Sequence, residues 1–322
     1  MAFFSFLRAV FASLLLCLTS SANHLSHHHA HVHEHALEAR GVSQTPSMAY
    51  NVLWSLHKSF WDAFIYPNNV KQAQAVNSTL LAPNVIGRVD ITRVFTGQEL
   101  NTEYLFGLFT GQTLNAGAAT LLGVPVAYDI IHFAASSYVV SSQVVVTFNL
   151  STMLLPVELG TWITFDSNKK VSQYDATFRR FDQVLDITVA NVQREIGASS
   201  SSAAIAYLTD ALAKSVCNTA QTYCTGGNLQ YTNSTSCYNT LTQVIRFGTA
   251  YELGRNTLLC RMMHQYMVPT RPTVHCPHIG PSGGGMCADD QTYQDIVRQP
   301  LYTNAPMVPN GKASTDQSIA AQ

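Results

Sequence analysis

The stretch Gly160-Thr161-Trp162-Ile163-Thr164-Phe165-Asp166-Ser167-Asn168-Lys169-Lys170-Val171-Ser172-Gln173-Tyr174-Asp175 decides how this chain reads. Two runs rich in β-branched and aromatic residues flank the polar cluster Asp166–Lys169. Such runs suit strands, and Asp, Ser and Asn suit the turn between them, so Trp162–Phe165 and Val171–Phe178 are predicted to pair as a hairpin. Upstream the same period of two continues, giving expected strands at Val124–Phe133, Tyr138–Phe148, Leu155–Phe165 and Lys170–Phe181. Contiguous strands with short connections predict a curved antiparallel sheet.

Helical signals precede this sheet. Thr45-Pro46 is read as a helix start, Leu53, Leu56, Phe60 and Phe64 recur at helical spacing, and Pro67 ends the run. A short helix is expected around Asn69–Leu81, then a strand over Val89–Phe95. Thr96-Gly97-Gln98-Glu99 has capping-box spacing, with Leu100, Tyr104, Leu105 and Leu108 as the apolar stripe of the next helix. Composition shifts at Gly197. A helix is expected over Ala203–Val216, helical spacing returns in Leu241–Met263, and Pro269–Gly285 reads as an irregular loop held by disulfides.

Helices followed by a long curved sheet make this an α+β chain. The layout resembles the NTF2-like (SnoaL-like) superfamily on Phe60-Trp61-Asp62-Ala63-Phe64, Gly87-Arg88-Val89-Asp90 and the stretch quoted above. That resemblance implies a cone of helices packed on a curved antiparallel sheet over residues 47–182, in a group that includes cyclases, ketosteroid isomerases and scytalone dehydratase. A helical, disulfide-stapled extension would occupy residues 183–303 and a polar tail residues 304–322. The whole resembles a secreted fungal protein.

The address agrees. Residues 1–22 read as a signal peptide, with Arg8 before the apolar core Ala9–Leu18 and small residues at Ser20-Ser21-Ala22. Residues 23–46 follow as a His-rich propeptide or arm, with seven His between His24 and His35 and a processing border at Arg40. The composition of Tyr128–Phe148 suits strands better than a membrane span, so no membrane contact is expected after cleavage. Beyond Cys17, the six cysteines Cys217, Cys224, Cys237, Cys260, Cys276 and Cys287 are expected to be oxidised, in a pairing the spacing leaves open. Asn77, Asn149 and Asn233 begin glycosylation sequons.

Composition narrows the function. Only 11% of the 322 residues are charged and 47% are hydrophobic. The mean hydropathy is +0.07. This excludes a highly charged disordered chain. A net charge of −1 argues against nucleic acid as a partner. No P-loop, H-E-x-x-H or G-x-G-x-x-G motif occurs, and no cofactor is expected.

A cone encloses a pocket, so binding of a small apolar molecule, or docking of an extracellular protein, is the leading reading. A cofactor-independent dehydratase, cyclase or isomerase is the alternative. It needs a general base such as His132 or Asp175 and a polarising hydroxyl such as Tyr104 or Tyr128. Strand alternation puts Tyr128, Ile130 and His132 on one face. It puts Asp175 with Gln173 and Thr177, opposite Tyr174 and Phe178. Metal capture is the third reading, by the His tract or by His264, His275 and His278. Arg255, Arg261 and Arg271 are expected to bind a carboxylate, cap helices or pair with Asp289 and Asp290.

Overall fold

The computed structural model describes residues 47–150 and 152–299. The signal peptide, the His tract, Thr45-Pro46, Arg40 and the tail lie outside these residues. The chain opens with α1 (Tyr50–Phe64) and α2 (Asn68–Gln74). Then come β1 (Leu81–Val89), β2 (Val94–Thr96) and α3 (Gln98–Phe106). The long strands follow: β3 (Val124–Ser136), β4 (Val139–Asn149), β5 (Leu154–Phe165) and β6 (Val171–Phe178). The hairpin read from Asp166–Lys169 is present, with Trp162 opposite Asp175 and Ile163 opposite Tyr174.

The six strands run in the order β2-β1-β6-β5-β4-β3. Four pairings are antiparallel, whereas β1 lies parallel to β6 with Gly87 opposite Tyr174. β1 is the strand the sequence hid. The expected helix Asn69–Leu81 stops at Gln74, and the expected strand Val89–Phe95 divides into the end of β1, a turn and β2. Pro83 cannot donate to a ladder. It lies in the irregular part of β1, between the Leu81 and Ile86 pairings. The capping box is also absent: Thr96 belongs to β2, and Gly97, at φ +91°, caps α3 without a side-chain bond.

The second half is helical: α4 (Phe181–Glu195), α5 (Ser201–Tyr223), α6 (Ser234–Asn239), α7 (Leu258–His264), α8 (Pro272–Ile279) and α9 (Tyr293–Arg298). Their starts follow capping chemistry. Ser200, Asn233, Thr257 and Thr292 each accept a backbone N–H with the side chain. Within the span expected as helical, Leu241–Met263, the α-helix is confined to α7. The segment expected as an irregular loop holds α8, because Pro272 at its first position starts a helix well. Three disulfides staple these helices: Cys217–Cys237, Cys224–Cys276 and Cys260–Cys287. Such bonds form in an oxidising compartment.

One apolar cluster extends from Leu53 to Ile279, so the sheet and the stapled helices share a core. Among the described residues no helix is long and apolar enough to cross a membrane.

Two packing details yield tests. A Cβ on Gly87 would lie 1.9 Å from Tyr174 Cζ. The ring has no easy retreat, because its hydroxyl donates to Asn101 Oδ1 at 2.8 Å. Gly87→Ala should therefore cost about 1–3 kcal/mol or more in chemical denaturation.

In α1, His57 is fully buried and accepts a bond from Trp61 Nε1 at 3.1 Å. Burial lowers its pKa to about 4. The unfolded chain therefore takes up this proton below about pH 6.5 while the folded chain resists it. Stability should fall with acidification from there to pH 4, by up to about 1.4 kcal/mol per pH unit for this group. His57→Gln should flatten that part of the Tm–pH curve.

Candidate functional site

The inner face of the cone is made by alternate residues of the sheet. Leu155, Val157, Leu159, Thr161 and Ile163 of β5 line a cavity of about 90 Å³. Phe60, Trp61 and Phe64 enter from α1, and Phe181, Val184, Leu253 and Met263 come from the helical half. Among the described residues no histidine lines it. The Leu121, Leu122 and Leu150 side of the cavity is also a wall of an outer cleft of about 460 Å³. That cleft carries Asn149, Thr152, Thr188, Asn191 and Glu195, a polar rim in which Asn191 Nδ2 donates to Thr152 Oγ1 at 2.8 Å.

The four acid–base candidates do not meet on this wall. His132 is exposed. The β3–β4 register shifts between Ile130 and His132, so the extra residue Ile131 reverses the alternation. Phe133 turns inward instead, its ring centroid 4.9 Å from Trp54 and 5.4 Å from His57. Tyr128 donates to Asp62 Oδ1 at 2.6 Å, at the α1 surface. Asp175 borders the cavity, but its carboxylate accepts from Arg88 Nε at 3.0 Å and from the other arm of the same guanidinium. Tyr104 lends its ring to the wall and stacks on Phe95 at 3.8 Å, while its hydroxyl lies 3.1 Å from His264 Nδ1. Burial raises the Tyr104 pKa well above the usual value, with the Glu103 carboxylate adding to the effect.

Behind Tyr104 the structure brings His264, His275 and His278 together, all buried, with one ligand atom of each within 4.8 Å of the others. His275 Nδ1 lies 3.3 Å from His278 Nδ1, and His275 Nε2 lies 3.1 Å from Glu103 Oε2. Glu103 also meets Arg271 at 2.8 Å. Burial holds the His264 pKa well below its usual value, and lowers His278 to about 3, with neighbouring histidines adding to both effects. These two rings are neutral at pH 7, with a lone pair available. Cys260, His264 and Cys287 also converge, but the two sulfurs are spent on their disulfide.

Sequence reading missed Glu103. Its signal was the acid pair Glu99/Glu103, one helical turn apart, facing Arg271. Arg271 thus binds carboxylates, one of the expected roles, whereas the expected partners of Asp289 and Asp290 are replaced by other arginines. Asp290 pairs with Arg93 and Asp289 with Arg246, while buried Arg261 donates to the carbonyls of Thr257, Gly280 and Pro281. Gly280-Pro281-Ser282-Gly283-Gly284 has the spacing of a nucleophile elbow. It leaves a helix rather than a strand, and the Ser282 hydroxyl accepts from Gly284 N, so the strand–turn–helix context is missing.

Comparison with known proteins places the chain. A model of the BfoA N-terminal domain matches residues 58–176, and one of the BfoA family C-terminal domain matches residues 179–290. The chain belongs to the BfoA family. The two models meet at the end of β6, where the sheet gives way to the stapled helices. Within the family, the chain is 50% identical to the bifonsecin B biosynthesis cluster protein A of Aspergillus brasiliensis, over 83% of this chain and 90% of that one. It is 48% identical to the aurasperone B biosynthesis cluster protein A of Aspergillus niger, over 83% and 87%. Solved structures similar to it include a steroid Δ-isomerase from Pseudomonas aeruginosa, at 12% identity, 48% and 98% coverage and a TM-score of 0.31. An LEH-like epoxide hydrolase of M. tuberculosis is similar at 8% identity, 46% and 98% coverage and a TM-score of 0.34.

The orientation of Tyr104 is testable. Tyr104→Phe should cost about 1 kcal/mol of stability through the lost buried hydroxyl contact. It should leave the affinity of a cavity ligand unchanged, as measured by fluorescence titration, because the hydroxyl faces His264.

Proposed function

We propose that the cone binds a small, mainly apolar molecule whose polar end rests in the outer cleft. The observation that carries this reading is the wall shared by the apolar cavity and the polar-rimmed cleft at Leu121, Leu122 and Leu150. A cavity of about 150 Å³ accepts benzene. At about 90 Å³ the cone is smaller than that, so a ring enters by displacing wall side chains toward the cleft. The names of the relatives, proteins of biosynthesis clusters for bifonsecin B and aurasperone B, support a small-molecule ligand over a macromolecular one. The acid–base alternative has less support: Asp175 is paired with Arg88 and His132 faces outward.

The same reading makes the protein a secreted glycoprotein. Three disulfides support an oxidising destination, and the exposed positions of Asn77, Asn149 and Asn233 leave room for sugars. At Asn233 the capping bond uses Oδ1, so Nδ2 is compatible with a glycan.

Titration of the full chain with 2-naphthol, a fused ring carrying one hydroxyl, tests the binding. Trp61 lines the cavity and reports occupancy by a saturable fluorescence change. Val157→Phe, which fills the cavity, should weaken binding at least tenfold. Absence of saturation in the wild type, or equal affinity in the filled variant, overturns the reading.

A further inference from the structure

We propose that His264, His275 and His278 form a binding site for a divalent transition metal of the zinc class, with Glu103 orienting His275. This is independent of the cone's ligand.

Neutral imidazole is a ligand for such ions. The arrangement around His275 is the one metal-bound histidines use, a carboxylate on the far ring nitrogen fixing the tautomer and leaving the near lone pair free. Glu103 Oε2 lies 3.1 Å from His275 Nε2, and both are buried atoms without another hydrogen-bond partner, so a small rotation brings the carboxylate into that position. The near nitrogen, Nδ1, then faces His278 Nδ1 at 3.3 Å. Two lone pairs cannot face each other at that distance, so the pair shares either a proton or a metal. Two nitrogens on a tetrahedral zinc are about 3.3 Å apart.

His264 completes the triad. Its ligand nitrogen lies within 4.8 Å of the others, so it must close by about 1.5 Å at most. Tyr104, 3.1 Å from His264, offers a fourth donor atom. On binding, three metal–nitrogen bonds form as the hydrated ion gives up the waters that held those positions, and the His278 proton moves from Nδ1 to Nε2, so no net proton is released.

The scaffold is rigid enough to hold such a site. Cys276 lies between the two α8 ligands and is tied to Cys224, and Cys260, one turn before His264, is tied to Cys287. Gly284 presses on His278, since a Cβ there would lie 2.8 Å from His278 Cδ2. Arg261 keeps its positive charge and opposes a cation, although its bonds to three backbone carbonyls hold the guanidinium in place. Affinity therefore rests on the ring lone pairs and the Glu103 carboxylate.

The test uses the oxidised full chain, stripped with a chelator and reloaded with Co²⁺. The expected result is one ion per chain retained through gel filtration in chelator-free buffer, with the visible bands of tetrahedral Co²⁺ lost on addition of Zn²⁺. His275→Ala and His278→Gln should abolish retention, and Glu103→Gln should weaken affinity 10–100-fold. A chain with His24, His27, His28, His29, His31, His33 and His35 all changed to Ala should retain the ion. Circular dichroism and Tm without metal separate a lost ligand from a lost fold. The proposal is overturned if the folded wild type retains no ion. It is also overturned if retention survives in folded His278→Gln, or disappears only when the N-terminal tract is changed.

Discussion

A buried run of helix is the constraint around which this molecule is arranged. In α3, Asn101, Thr102, Glu103, Tyr104, Leu105 and Phe106 are all buried, so the polar side chains of this run cannot be satisfied by bulk water. Each fixes a different neighbour. Asn101 Nδ2 donates to the carbonyls of Val85, Phe95 and Gly97, and Oδ1 takes the Tyr174 hydroxyl, locking β1, β2 and β6 in place. Thr102 Oγ1 donates to Gln98 O and accepts from Ser78 N. Glu103 and Tyr104 reach the other way, into α7 and α8. A single turn and a half of helix thus joins the sheet to the stapled half, which is why one core spans both family domains.

That helix also separates two environments of opposite chemistry. On one side is a cone walled by aromatic and aliphatic side chains. On the other is a compact group of imidazoles, a carboxylate and guanidinium groups. Tyr104 belongs to both, its ring to the first and its hydroxyl to the second. The division explains why no nominated acid–base group stands unpaired in the cone, since low dielectric there makes an unpaired polar group costly. Asp175 borders the cavity paired with Arg88, Tyr104 turns its hydroxyl to His264, Tyr128 pairs with Asp62, and His132 faces water.

Much of this was legible in the chain. The meander from Val124 to Phe178 follows from alternation and one turn cluster, and the oxidised state of six cysteines follows from their even number in one third of the chain. What escaped was non-local. β1 has only the three-residue β2 as a hairpin partner to announce it, and its longer pairing with β6 depends on the folded meander. Strict alternation puts His132 on the face of Tyr128 and Ile130, and one extra residue at Ile131 reverses it. Glu103 reads as an ordinary surface acid until Arg271 and His275, from the far end of the chain, cover it. The helix that carries His275 and His278 was hidden because it begins at a proline inside a Pro-rich stretch that reads as loop.

The parallel β1–β6 pair has a consequence for how the protein is made. Arg88 and Asp175, which meet across it, are 87 positions apart. On a ribosome, β1 and its hairpin partner β2 emerge long before β6 exists. The edge of β1 that takes β6 must wait unpaired while the entire meander is synthesised, and non-local pairing of this kind is slow as well as late. During that interval the segment is a bare sheet edge, open to association with other nascent chains. Export of the growing chain into a chaperone-rich lumen would shelter it, and the placement of Pro83 and Asn84 at exposed positions in β1 makes the waiting strand a poor template for strangers.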